Sequence, residues 1–394
     1  MKRRLFASIL CILLLTGCWD RKELNEVGIV GAIGLDKDSK TEEIILTSQV
    51  IRPGALKKEG GGGEKSPVEN ITTRGNTVFE AMRNITKQFD RKAYFPHTKV
   101  IVIGEHLARD GILPILDVFI RSQEIRRLVW FTVAKDTTAE EILGVKHGIE
   151  NVQAAYLDSI IKRRSANSEV STPNLLEVLK RVSGNEINPI AGVMEVIEQP
   201  NRPVEEKNGL TTKGVKLSGT AVFKKDKLVG YLDDIETRGL NWVTGKVESG
   251  VINVPSPTEK DKLIAIEIKR ASSSIKPEIK DGEISFTIEV KEEGDIVEQQ
   301  GITDVSKLEL FEKIEKEQEE VIENEIKMAV DKVQKEFNSD IFGFGSVFNK
   351  KYPKEWNKIK DNWESIFPKV QYVVKVDAKL RRTGLLLKSV KPGE

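Results

Sequence analysis

Two cysteines occur in 394 residues, and their placement excludes any covalent cross-link within the folded body. Cys11 lies inside an apolar run from Leu5 to Leu15 that follows Lys2, Arg3 and Arg4. Cys18 closes Leu15-Thr16-Gly17-Cys18 directly after that run. A basic start and a short apolar segment form the pattern of an export signal. Eleven residues of helix reach about 16 Å, short of a bilayer core of about 30 Å, so removal is expected rather than a span. Leucine three positions before a cysteine, with glycine immediately before it, resembles a bacterial lipobox. The expected outcome is loss of residues 1–17 and a thioether bond from Cys18 to a diacylglycerol. Two acyl chains, at about 0.8 kcal/mol per buried methylene, suffice for stable anchoring. The mature chain then has no free thiol, no disulfide and no cysteine metal ligand, and must fold on packing alone.

Charge narrows the function classes. Without Lys2, Arg3 and Arg4 the chain carries 59 basic and 61 acidic residues, a net charge of about −2. That balance argues against a nucleic-acid binder, which shows a basic face or tail. No later apolar run is long enough to span a membrane.

Periodicity supplies the elements. Val27–Leu35 and Glu43–Arg52 read as strands joined by a turn at Asp36–Lys40. Gly60-Gly61-Gly62-Gly63 lacks the Lys-Ser/Thr and helix start of a phosphate cradle and reads as a hairpin tip. Asn76 is expected to cap a helix to about Asp90, followed by a buried strand at Thr98–Ile103. A helix interrupted near Gly111–Pro114 covers 105–122, and a strand follows at Leu128–Ala134. Thr137/Thr138 with Glu140 and Glu141 opens a further helix, with others at 154–163 and 173–182. Gly28, Gly31 and Gly34 fail as a dinucleotide loop and suit close packing within a strand. Beyond Glu198, two prolines and dense charge mark a linker.

Strands at 215–223, 227–232 and 247–254, a short helix at 233–241, and alternating strands at 263–269 and 284–290 come next, with Gly282 at a turn. The longest helix, about 305–337, carries an apolar stripe through Ile314, Ile322, Ile326, Val330 and Val333 that Gln318 interrupts. Phe342–Phe348 reads as an apolar turn, 355–367 as a helix and 369–380 as a strand. The expected class is α+β, a multi-domain mixed body with a β-rich second half and the long helix on its C-terminal sheet. The expected division is an N-terminal α/β domain at 18–198, a linker at 199–212, a middle domain at 213–270 and a C-terminal α+β domain at 271–394.

No residue constellation announces catalysis. His97, His106 and His147 are the only histidines, and His97 and His106 stand nine residues apart rather than at helical zinc spacing. No Gly-x-Ser-x-Gly elbow occurs. Catalytic, metal-ligating and cofactor-binding residues are therefore expected to be none. Arg121, Arg126 and Arg127 with Glu124 read as a solvated helix end or a patch facing a partner. Trp19, beside the anchor, suits the headgroup level, whereas Trp242, Trp356 and Trp363 suit core or interface.

Four motifs, in order, carry a resemblance. They are the lipobox with Cys18-Trp19-Asp20 and Glu23-Leu24, and Phe95-Pro96-His97-Thr98-Lys99 with Ala108-Arg109-Asp110-Gly111. Next comes Gly219-Thr220-Ala221-Val222-Phe223-Lys224 with Glu236-Thr237-Arg238-Gly239-Leu240 and Trp242; last is Trp363 with Phe367-Pro368. From Cys18 to about Gly384 the chain resembles the Ger(x)C family, the C subunits of nutrient germinant receptors in spores. That resemblance implies a mixed α+β, non-enzymatic lipoprotein on the outer face of the spore inner membrane. It also implies A-type and B-type receptor subunits as partners and a role in germination in response to small nutrients. Only Cys18 receives a chemical role from it. The rival expectation is an extracytoplasmic solute-binding lipoprotein, which predicts two doubly wound lobes around a ligand cleft.

Overall fold

A computed structural model describes residues 26–52, 66–122, 124–145, 150–198, 213–259, 261–301 and 307–382. Cys18, Trp19, Gly60–Gly63, His147, the 199–212 linker and Thr383-Gly384 lie outside the described residues.

The first half builds one mixed sheet from β1 (Val27–Lys37), β2 (Ile44–Ile51), β3 (Val68–Gly75), β4 (Lys92–Tyr94), β5 (Val100–Gly104), β6 (Trp130–Ala134), β7 (Ile190–Glu198), β8 (Lys213–Lys224) and β9 (Lys227–Leu232). Its order is β3-β2-β1-β5-β6-β7-β8-β9, with β4 paired to the start of β1. The centre, β1-β5-β6-β7, is parallel and both flanks are antiparallel. A parallel centre must be covered on both faces, and β5, Val-Ile-Val-Ile-Gly, is buried throughout. Ile101 and Ile103 face α1 (Val78–Asn84), α2 (Glu105–Asp110), α3 (Leu113–Arg121) and, later in the chain, Leu175, Val178 and Leu179. Val100 and Val102 face α4 (Ala139–Gly144) and α5 (Gln153–Lys162). Leu175, Val178 and Leu179 belong to α6 (Leu175–Ser183). The recurring glycines of β1 make room for this cover: a Cβ at Gly31 would meet that of Ala154 at 2.9 Å, and one at Gly34 would meet that of Ala139 at 3.0 Å.

The second sheet runs β10 (Val251–Pro255), β11 (Leu263–Lys280), β12 (Glu283–Gln299), β13 (Gln371–Arg382), with only the β12–β13 pair parallel. Asp281 and Gly282, both at positive φ, turn β11 into β12. The parallel return to β13 needs a long crossover. It consists of α8 (Leu308–Lys332), about 37 Å of helix, then α9 (Phe344–Lys351), α10 (Pro353–Ile359) and α11 (Trp363–Ile366). Ile314, Ile322, Ile326 and Val330 of α8 pack with Ile266, Ile288 and Val290 of the sheet. Glutamates of α8 also close the sheet's edge: Ala378 donates its N–H to Glu319 at 3.2 Å, and Leu380 to Glu315 at 2.9 Å. Among the described residues no helix is long and apolar enough to cross a membrane.

The two sheets share a core. Ile190, Val222 and Leu232 of the first join the same cluster as Ile252, Ile266 and Phe286 of the second, through Leu240 and Trp242 of α7 (Asp234–Val243). Where α7 crosses α8, the backbones nearly touch: a Cβ on Gly239 would lie 2.1 Å from the Glu325 carbonyl oxygen and 2.8 Å from the Ala329 Cβ.

Several expectations are corrected. Thr77, not Asn76, caps α1, accepting the Glu80 N–H at 3.1 Å while Glu80 accepts the Asn76 N–H. β3 and β7 are additional strands; β3 is polar because it is a sheet edge, whose exposed positions carry no apolar residues. β11 and β12 are more than twice their expected length, and along the added part of β11 exposed Arg270, Ser272 and Ser274 alternate with half-buried Ala271, Ser273 and Ile275. The expected division at 270 thus falls inside β11, and the strands expected to open the middle domain at 213–270 pair within the first sheet. Phe344–Lys351 is helical, and the expected 355–367 helix is broken by a 3-10 turn at Lys360–Asn362.

Gly239→Ala tests the crossing. Alanine is favoured over glycine within a helix by about 1 kcal/mol. The overlap with Glu325 and Ala329 reverses that sign, and urea unfolding is expected to show a net loss of about 1–3 kcal/mol.

Candidate functional site

The carboxyl ends of parallel strands are where open α/β sheets bind ligands. Here β1, β5, β6 and β7 bring together Asp36, Glu105, Lys135 and Glu195, with a 300 Å³ depression lined by Lys135, Asp136, Thr137, Glu141, Glu195 and Val196. Three of its charged side chains are held in ion pairs. Lys135 meets Glu195 at 2.8 Å, Lys213 meets Glu141 at 2.7 Å and Glu105 accepts from Arg109 and the Asp136 N–H. Burial pushes the Glu105 carboxyl up, but the Asp136 N–H and Arg109 outweigh it and hold it below its ordinary value. Asp36 is raised, burial exceeding the pull of the Ala139 and Glu140 N–H groups that it accepts at 2.9 and 3.0 Å. It serves as a cap for α4. Burial, then the Glu105 charge, pushes up the Tyr231 hydroxyl beside this group.

A larger cleft of 810 Å³ opens where the described chain begins. Phe89, Tyr94 and Phe95 supply its aromatic lining, with Glu26, Arg83 and Lys92 among its charges. Arg83 is held by Glu124 at 3.3 Å and stacks on Phe79.

The expected arginine patch separates: Arg121 pairs with Asp117 at 2.8 Å, Glu124 with Arg83, and Arg126 and Arg127 are exposed on the following turn. His97 leans on Tyr94, with ring centroids 5.6 Å apart, and His106 Nδ1 lies 3.4 Å from the Lys37 carbonyl. No group of three potential metal ligands forms among the described residues.

The densest polar construction is at the α7–α8 crossing. Arg238 grips Glu325 with both Nε, at 2.9 Å, and Nη2. Its Nη1 donates to the Val251 carbonyl at 3.1 Å and to Glu169 at 3.3 Å. Trp242 Nε1 donates to Glu325 at 2.9 Å. Burial would lower the Arg238 pKa, but Glu325 outweighs it and the net shift is upward. Burial raises Glu169. Around this pair Lys332 meets Glu236 at 2.7 Å, Thr237 meets Thr220 at 3.1 Å, the Gly219 N–H reaches Asp234 at 3.0 Å, and Asn241 donates to the Ser168 carbonyl at 2.8 Å.

A second knot surrounds Asp340. It accepts the N–H groups of Gly343, Phe344 and Gly345 at 2.8, 3.1 and 2.8 Å, and Trp363 Nε1 at 3.1 Å. Burial still raises its pKa against these four donors.

The Gly219-Thr220 and Glu236–Trp242 motifs are therefore one structural unit, and Trp363 anchors another. The described "Spore germination protein N-terminal domain" family matches residues 20–196, and the "Spore germination B3/GerAC like, C-terminal" family matches residues 218–384. The chain belongs to the Ger(x)C family of spore germination proteins. It is 30% identical to Bacillus subtilis spore germination protein KC, over 96% of this chain and 94% of that one. Spore germination protein B3 of the same organism is 27% identical, covering 95% of this chain and 96% of the relative. The crystal structure of the GerBC protein superposes with a TM-score of 0.56 at 24% identity, covering 92% of this chain and 99% of that chain, and supports the α+β fold.

In this Ger(x)C protein, sequence reasoning singles out Arg238 and Trp242 but not their acceptor, Glu325. The available signal is position: Gln318 and Glu325 lie seven residues apart on the buried stripe of α8, where polar side chains need a partner. Glu169 and Asp340 give no comparable signal, because each sits in irregular chain.

Arg238→Met leaves Glu325 buried with Trp242 as its one remaining side-chain donor, and is expected to cost about 3–5 kcal/mol in denaturant unfolding. Arg238→Met combined with Glu325→Leu is expected to cost less than Arg238→Met alone, because the deeply buried Glu325 charge is no longer left without its cation.

Proposed function

We propose that this Ger(x)C protein is a lipid-anchored, non-enzymatic subunit of a nutrient germinant receptor. It is held at the outer face of the spore inner membrane through a diacylglycerol on Cys18. There it assembles with A-type and B-type receptor subunits and is required for germination in response to small nutrients. The carrying observation is the family match, which spans both halves of the chain and follows directly on the lipobox at Leu15–Cys18. The depression at the strand ends supports a binding or scaffolding part rather than a catalytic one, since Lys135, Glu195 and Glu141 are each held in an ion pair. An anchor at Cys18 would keep the body near the membrane surface: seven residues lie between Cys18 and Glu26, and eight Cα steps reach at most about 29 Å.

The solute-binding alternative predicts two doubly wound lobes, and the two mixed sheets with their shared core differ from that architecture. Direct ligand contact retains one supporting observation, the 810 Å³ cleft, whose volume suits a small molecule.

Cys18→Ala in spores is expected to reduce the membrane-associated protein and to slow nutrient-triggered loss of refractility. Full membrane retention with normal germination would refute the anchoring. Heat released on titrating small nutrients into the purified protein would move nutrient contact onto this subunit.

A further inference from the structure

Among the described residues, one acid on the inner face of the second sheet is paired with no cation. Glu292 follows Phe286, Ile288 and Val290 at every second position of β12, so its side chain points at α8 among apolar neighbours and is 1% exposed. Its room is provided by Gly294: a Cβ there would come within 2.9 Å of Glu292 Oε1 and 2.5 Å of Ile266 Cγ2. From α8, Gln318, itself 0% exposed, donates from Nε2 to Glu292 Oε2. The other oxygen of each group, Glu292 Oε1 and Gln318 Oε1, is buried without a hydrogen-bond partner. Two acceptors left orphaned on two side chains already joined by one bond is an expensive arrangement. A single proton on the carboxyl satisfies both.

The surrounding charges do not substitute for that proton. On β12 itself, Glu293 is the adjacent carboxylate and Lys291 is exposed on the opposite face. On β11, Arg270 pairs in register with Glu293, not Glu292. On β13, Ala378 stands opposite Glu292, while Lys379 is engaged with Glu315 and Asp377. On α8, Glu315 and Glu319 are committed to the β13 backbone, and Glu325 to Arg238. Strand β10 contributes Ile252 and Val254 to this core. Burial first, and the Glu293 charge second, push the Glu292 carboxyl up to about 8.

We propose that Glu292 and Gln318 form a proton-operated latch between the second sheet and α8. As a neutral acid, Glu292 donates through Oε1 to Gln318 Oε1 while accepting from Gln318 Nε2, closing a two-bond acid–amide pair. When the proton leaves to solvent, the Oε1–Oε1 bond is lost and an unpaired carboxylate remains inside the apolar layer. The contact between α8 and β12 at Gln318 is then released, while Glu315 and Glu319, which flank it, still hold β13 and Glu325 still holds Arg238.

The sign follows from linkage. The unfolded carboxyl ionises near 4.5 and the folded one near 8, so between these values folding takes up a proton. Stability supplied by the neutral acid is full below 4.5 and declines as pH rises, and it is gone above 8. Over that window the folding constant changes by about tenfold per pH unit for one proton. Glu292→Gln replaces the pair by two amides, which keep both hydrogen bonds and cannot titrate. The test follows thermal unfolding of the full-length lipoprotein in detergent from pH 5 to 9, for the native chain and Glu292→Gln. The expected result is that the variant loses one proton of linkage and becomes the more stable of the two at alkaline pH. Superimposable pH profiles would overturn the latch. Should Glu292→Gln not fold, Glu292→Leu with Gln318→Met removes both polar groups. That double variant is expected to lose the same pH slope, and retention of the native slope overturns the proposal equally.

Discussion

The relation between the two sheets rests on one buried ion pair. α7 continues directly from β9 of the first sheet, and α8 lies on the second. They meet at Arg238 and Glu325, whose side chains are 7% and 5% exposed. Taking two charges from water costs several kcal/mol each, so such a pair persists only with close to ideal geometry and further hydrogen bonds. Both conditions hold: the guanidinium binds through two nitrogens, Trp242 adds a donor to the carboxylate, and the Val251 carbonyl takes a remaining arginine proton. Apolar stripes on two helices allow several packings of similar energy. A planar fork that fits one carboxylate at one position excludes the others. Gly239 completes the constraint by letting the helices come close enough for the fork to reach.

Most of the core elements are legible in the sequence because their periodicity survives folding. The buried alternation of β5, the glycine spacing of β1 and the apolar stripe of α8 each predict their surroundings. Illegible parts have a common cause. β3 is an edge strand whose residues answer to solvent on one side, so apolar alternation is weak. The half of β11 beyond Lys269 owes its strand form more to pairing with β12 than to burial; Ser272 and Ser274 carry no apolar periodic signal. The joining of residues 213–232 to the first sheet follows from β8 pairing with the preceding strand, β7, on the far side of the charged 199–212 segment that reads as a linker.

The polar sites divide in the same way. Motifs at 219–220 and 236–242 can be read as fragments, and folding reveals that they are two sides of one contact. Their acidic complement comes from α8, more than eighty residues downstream of Arg238, in a helix so rich in glutamate that composition hides the buried one. Gln318 is the better clue. A lone amide within an apolar stripe points to a polar partner across the interface, and Glu292 is that partner.

The closure of β13 by Glu315 and Glu319 bears on how any neighbour can approach. Backbone N–H groups at a sheet margin invite further strands, and strand addition is the common route to filaments and to β-augmented complexes. At Ala378 and Leu380 those donors are already taken by carboxylates from the same chain. A newcomer would have to displace charge-assisted bonds before its first main-chain bond formed. Copies of this protein are thereby kept from zipping together along that margin. A partner docking there must recognise side chains, and its specificity can then be written in sequence rather than in backbone.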